Sequence, residues 1–314
     1  MKLFGVELSR LFARRAVVIM MVLGTLAVVC VAAGVLYNNR PVSAGDIATA
    51  QQEADRYNEQ RFTQRRLDTC IERTGDVASC ESRHLLQPDA FLYRPQLKPA
   101  DYDGWLVPMV AISAAMTFLI GATFIGADYS SGSLGTQLLF QPNRWKVWVA
   151  KCAAVGVGAA AFTVLALGIA NGAILGFASS WDRPIRDGLF GDIAAAGGRG
   201  AVLAVAAAVG GLGLVLVARH TAAALGLLAL YGVAAEAVVR AVWPGSERWL
   251  LSNHVVAFVG GSFKRTIYGQ CDGFGQCSDV VYRFSTATAT IYLGSALLVV
   301  AVASLLVFVR RDVA

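Results

Sequence analysis

An all-α polytopic membrane protein with six transmembrane helices is the fold class that three observations in this 314-residue sequence predict. The chain is 56% hydrophobic and only 15% charged, with a mean hydropathy of +0.56. Soluble domains carry about 25% charged residues, so the polar surface needed to cover a water-soluble globule of this length is missing. Six apolar segments approach the roughly 20 residues that cross the hydrocarbon as a helix. Lys and Arg, finally, gather in the short flanks that six spans would place on one side. The net charge of +6 is therefore read as a topology signal, and nucleic acid is not an expected partner.

Residues 1–15 come first. Phe4, Leu8, Leu11 and Phe12 fall on one helical face, with Glu7, Arg10 and Arg14 elsewhere and Arg15 at the end. A basic amphipathic helix just ahead of a span is expected to lie along the lipid interface. The first span, 16–37, is too long for the apolar core of a signal peptide and is expected to be retained.

Residues 38–104 form a polar insert with nine bases and eleven acids. Ile47 to Arg66 has helical composition, and Pro88, Pro95 and Pro99 mark an irregular return. The insert is too polar for a large core of its own. It is expected to be a small helical subdomain stapled by Cys70–Cys80. That pair, and Cys271–Cys277 in the last loop, fall on the oxidising side in this topology, so two local disulfides are expected.

The second span is 105–126 and the third 147–178, joined by the polar connection 127–146. Within it Asp128, Ser130 and Ser131 are good N-caps, and Leu134, Leu138 and Leu139 place apolar groups on one side of a short helix. Pro142 ends that helix. Arg144, Lys146 and Lys151, with Trp145 and Trp148, are expected to anchor the third span at the headgroups. The alternative is an interfacial loop whose leucines dip into lipid.

An external loop, 179–200, leads to the fourth span, 201–217, whose start is blurred by Gly197, Gly198 and Gly200. Small residues are dense in spans three and four and permit close packing. The fifth span is 222–242 and the sixth 286–309. Between them, 243–285 is an external loop containing an apolar piece, Trp249 to Val259, too short to span and expected as a re-entrant or interfacial helix. The one-sided flanks hold Lys2, Arg10, Arg14, Arg15, Arg144, Lys146, Lys151, Arg219, Arg310 and Arg311 against Glu7, Asp128 and Asp312. That imbalance points to a multi-pass plasma-membrane protein with both termini cytoplasmic.

Signatures of chemistry are sparse. The sequence has no G-x-x-x-x-G-K-[ST], no H-E-x-x-H and no C-x-x-C, and only three histidines. No catalytic residue, metal site or directly bound cofactor is expected. Ser130-Ser131-Gly132-Ser133 lacks the G-x-S-x-G of a nucleophile turn. Glu236 and Arg240, four apart in the fifth span, and Asn171 in the third form a candidate intramembrane polar site. Each is readable as a translocation contact or as a satisfied packing pair, with Arg199 a further candidate partner.

The 128–151 stretch resembles the corresponding segment of permease subunits of the ABC-transporter type-2 exporter family. The residues that carry the resemblance are Asp128, Gly132-Ser133-Leu134, Leu138-Leu139, Pro142, Arg144 and Lys151. In that family the segment is a coupling helix that docks on an ATPase subunit. The N-terminal segment, with Glu7, Arg10, Arg14 and Arg15, is similar to the family's elbow helix. Asp128 stands where Glu is commoner, Ser133 where Thr is usual, and the first insert is large. The resemblance implies an exporter permease that binds no cofactor itself, with ATP and Mg in a separate ATP-binding subunit. It also implies a second permease copy or paralogue, surrounding lipid, and a hydrophobic or amphipathic cargo such as a drug, lipid or peptide. Two other readings stay open: a proton-coupled secondary transporter using Glu236, and a non-transporting scaffold or sensor using the insert.

Overall fold

The computed structural model describes residues 2–92, 97–271 and 277–310. Two units make up the chain, one from residues 1–32, 99–176 and 185–314, the other from residues 33–98 and 177–184. Among the described residues six helices are long and apolar enough to cross a membrane.

In the first unit, α1 (Lys2–Ala13) leads into the first long helix, α2 (Arg15–Asn38), which continues into the second unit. The second unit holds α3 (Ala44–Asn58), α4 (Arg61–Thr74) and α5 (Val77–His84). Ser43 and Asp46 form a reciprocal capping box that starts α3. Gly75 closes α4 in the left-handed region, and Asp76 caps α5 through the Ser79 amide. The expected single helix from Ile47 to Arg66 is thus two helices, broken at Glu59–Gln60. Ala50, Ala54, Leu67 and Cys80 supply a small buried core, and the Cys70–Cys80 disulfide joins α4 to α5. Asn58 clamps the following loop, donating to the Leu86 carbonyl and accepting from its amide at 2.9 Å. Pro95 lies outside the described residues.

The first unit resumes with α6 (Asp103–Ser130), α7 (Ser133–Phe140) and α8 (Arg144–Ser180), then α9 (Leu189–Ala218). The fourth span begins twelve residues before its predicted start, since the glycines at 197, 198 and 200 are all helical. α10 (Thr221–Leu230) passes into a π-helical stretch, Tyr231–Val239, and ends in α11 (Arg240–Val242). α12 (Leu251–Gly260) is the short apolar helix expected near Trp249 to Val259.

A β-hairpin then appears where only loop was expected: β1 (Ser262–Cys271) pairs antiparallel with β2 (Cys277–Ser285). Phe263 opposes Phe284 and Ile267 opposes Val280, aromatic and β-branched pairs that stabilise two-stranded pairing. The register sets Cys271 opposite Cys277, but their side chains, and so the expected disulfide, lie outside the described residues. α13 (Thr286–Arg310) closes the chain, its start capped by mutual hydrogen bonds between Ser285 and Thr288.

Packing in the first unit centres on α6 against α9. A β-carbon on Gly121 would sit 2.0 Å from the Ala208 carbonyl oxygen, and one on Gly211 would sit 2.2 Å from that of Phe118. Only glycine lets these backbones touch, and Thr117 adds a hydrogen bond to the Ala204 carbonyl at 3.0 Å. The close approach predicted from small residues therefore joins spans two and four. Around it lie Ile120, Phe124, Ile125, Leu212, Val215 and Leu216. α13 joins where Gly213 faces Val300 and Ser304, and the Trp148 indole donates to the Ser304 hydroxyl.

Candidate functional site

The link from α6 to α7 is a single sharp step. Ser131 ends one helix, and Gly132, with φ of 66°, turns the chain so that α7 starts at Ser133. Open space surrounds the Gly132 α-carbon, so it is the left-handed backbone that calls for glycine there. Asp128 and Ser130 do not cap the short helix as expected; both are the last turn of α6.

This step carries Asp128 inward. Its carboxylate is fully buried, as is that of Glu7 on α1, and the Lys151 side chain is 1% exposed. Lys151 Nζ lies 2.6 Å from Asp128 Oδ2 and 2.9 Å from Glu7 Oε2, bridging the two acids. Arg10 reaches Asp128 Oδ1 at 3.0 Å and Glu7 Oε1 at 3.3 Å. Arg14 also pairs with Asp128 and donates to the Phe124 carbonyl. Two side chains near the start of α7 complete the set. Ser133 donates to Asp128 Oδ1 at 2.9 Å, and Gln137 donates to Glu7 while accepting from Arg10 at 3.1 Å. The Phe124 ring forms one wall, with the Arg14 guanidinium 4.8 Å and Lys151 Nζ 5.1 Å from its centre.

Three cations and two carboxylates, drawn from α1, the Arg14 link, α6 and α8, thus share one site in which the lysine and both acids are buried and the arginines partly so, with two polar side chains of α7 tied in. Burying such charges is costly unless each is paired and hydrogen-bonded, and here each is. Its chemical capacity is mechanical: α7 cannot shift without disturbing its contacts to α1 and α6, whose acids Lys151 ties to α8.

Several expected placements are corrected. Lys151 is not at a headgroup; it is the centre of the cluster. Glu7 does not lie away from the packed face of α1. Glu7 and Leu11, at i and i+4, turn inward, and Arg14 just past the helix joins them, while Phe12 is exposed. Leu134, Leu138 and Leu139 do not share a face: Leu134 is buried, Leu138 packs on the core, and Leu139 points out. Leu139 and Phe140, 83% and 86% exposed, form an apolar tip at the end of α7. Pro142 follows the helix as expected, and Arg144 donates to the Phe308 and Val309 carbonyls at the end of α13. Gln137 and Phe124 had no distinguishing pattern in sequence. The Glu7–Arg10–Arg14 spacing was visible, but its partners lie more than 110 residues away.

The candidate polar site of the spans separates into two. Asn171 accepts from the Trp105 indole at 3.0 Å and donates to the Leu167 carbonyl, tying α6 to α8. Glu236 pairs with Arg240 at 3.2 Å and also accepts from the Tyr231 hydroxyl and from the Ser252 amide and hydroxyl. Four donors fill the acceptor positions of one carboxylate, which suits a clasp between the π-helical stretch and α12. Arg199 is not a partner of this pair; it donates twice to the Val259 carbonyl. His254, stacked on Tyr292 with ring centres 4.0 Å apart, was not singled out by any sequence pattern. Among the described residues no group of acids, histidines and cysteines has the arrangement of a metal site. No family model, curated protein or solved structure matches the chain.

Proposed function

We propose that the chain is the permease subunit of an ATP-driven (ABC) exporter, with α7 as its coupling helix and α1 as its elbow helix. The observation that carries this reading is the two-sidedness of α7. Its outer end offers Leu139 and Phe140 to a partner, and its inner face is bound through Ser133 and Gln137 to charges on α1 and α6, which Lys151 links in turn to α8. A push on the tip is then delivered to two membrane helices and the elbow together. In this proposal α7 faces the cytoplasm of a plasma-membrane protein whose two termini are also cytoplasmic. The Cys70–Cys80 disulfide in the insert fits the opposite, oxidising side. ATP and Mg belong to a separate ATP-binding subunit, and two permease copies or paralogues enclose the path for a hydrophobic or amphipathic cargo. The chain itself supplies no catalytic group.

The test is affinity purification in mild detergent. Wild type should bring down an ATP-binding subunit with vanadate-sensitive ATPase activity. Leu139→Asp/Phe140→Asp should lose that subunit while remaining membrane-inserted and monodisperse. Absence of any ATP-binding subunit from the wild-type preparation, or its full retention by the double variant, would reject the reading.

A further inference from the structure

The second unit, taken by itself, contains a cleft of about 520 Å³ whose charged lining is wholly basic. Arg65, Arg66 and Arg73 reach it from α4 and Arg83 and His84 from α5, with Thr69 between them. The helical period explains the gathering: residues 62, 65, 66, 69 and 73 fall on one face of α4. The disulfide through Cys70, itself part of the lining, holds α5 against that face, so four guanidiniums from two helices are kept together.

Acids are close by in sequence but do not answer these charges. Asp68, Glu72 and Glu81 lie on the same two helices, yet none of them forms an ion pair with the four arginines among the described residues. The insert as a whole carries eleven acids against nine bases, so the basic cleft is a segregation of charge and not a reflection of composition. All four guanidiniums are exposed, so solvent screens their mutual repulsion while leaving them accessible to a ligand. Arg66 also lies over the Phe62 ring, 4.9 Å from its centre, which orients one fork at the rim. Planar forks with paired donors suit phosphate oxygens, and the volume lies within the range of small-molecule sites.

We propose that this cleft binds a phosphate-bearing ligand, its phosphoryl oxygens held by the Arg65, Arg66, Arg73 and Arg83 guanidiniums. The site stands apart from the transporter reading, since it uses neither α7 nor any ATPase. Two sources share the chemistry, a soluble phosphate compound and the headgroup of an anionic phospholipid.

The experiment measures binding of inorganic pyrophosphate and, separately, of a short-chain phosphatidic acid to the full chain in zwitterionic detergent. Wild type should bind at least one probe, more weakly as salt rises. Binding of pyrophosphate marks a soluble ligand, and binding of the lipid alone marks a headgroup site. Arg65→Gln/Arg73→Gln should weaken binding by about tenfold or more, and Arg83→Gln, on the other helix, by about tenfold, because charge-assisted hydrogen bonds are lost. Arg56→Gln, outside the cleft, should bind as wild type does. Arg83→Gln keeps the test decisive should the double variant fail to fold. The proposal is overturned if neither probe binds wild type, or if cleft variants with wild-type helicity bind as tightly as Arg56→Gln.

Discussion

Lys151 shows how one residue's meaning depends on its neighbours. A lysine near the start of an apolar helix ordinarily reaches for headgroups, but this one bridges Asp128 and Glu7 in a site closed to solvent. Removing Lys151 leaves Glu7 with Arg10 and Asp128 with Arg10 and Arg14, so the cost should fall below the roughly 3–5 kcal/mol of a wholly uncompensated buried charge. Lys151→Met should therefore lower the thermal unfolding midpoint of the purified protein markedly. Adding Glu7→Gln should recover part of the loss, because the carboxylate left to share Arg10 with Asp128 is removed as well. Additive losses in the double variant would show that the two side chains do not act as a pair. Asn171 illustrates the other outcome at this scale: a polar group inside a span, open to a transport reading from sequence, has the Trp105 indole as its partner.

Among the elements, α6 and α9 make the sharpest statement, because two adjacent glycines in α9 should behave oppositely. A β-carbon at Gly210 meets nothing within 4 Å, whereas one at Gly211 runs into the Phe118 carbonyl. Gly210→Ala should be neutral or stabilising, by up to about 1 kcal/mol from helix propensity. Gly211→Ala should force the helices apart and cost about 1–3 kcal/mol, as overpacking does. Thermal stability in detergent measures both, and equal effects would contradict the crossing. The β1–β2 hairpin was also legible in principle. Phe263, Arg265 and Ile267 alternate with Lys264 and Thr266, and Val280, Tyr282 and Phe284 repeat the period. Two short strands between membrane helices are easily taken for a polar loop, because period-two patterns are weak over few residues.

For the whole molecule the decisive property is sidedness. If the helices long and apolar enough to cross a membrane do so, the insert after α2 and the step between α6 and α7 face opposite compartments. In a background with the native cysteines replaced, Gln64→Cys should react with a membrane-impermeant maleimide in intact cells. Ser131→Cys should react only after permeabilisation. Both side chains are exposed, so lack of labelling reports the membrane and not burial. Labelling of both in intact cells would reject the six-span arrangement.

The six helices long and apolar enough to cross a membrane, the polar insert and its Cys70–Cys80 bridge, and the short helix ending before Pro142 were all legible in the sequence by itself. Each is set by a local quantity: the length of an apolar run, a nearby cysteine pair, or a proline that cannot continue a helix. What tertiary structure decided is the direction in which charge points. Amphipathic reasoning sends charged side chains to water or headgroups, since an isolated charge is costly to bury. That premise fails once the partners arrive from elsewhere in the chain. Glu7 and Arg10 on α1, and Arg14 in the link after it, meet Asp128 and Lys151 on two other helices, so the polar side of α1 became part of its packed face. No local window holds both halves of that cluster, and only the folded chain could show α7 tied inward by its polar residues with Leu139 and Phe140 left outside.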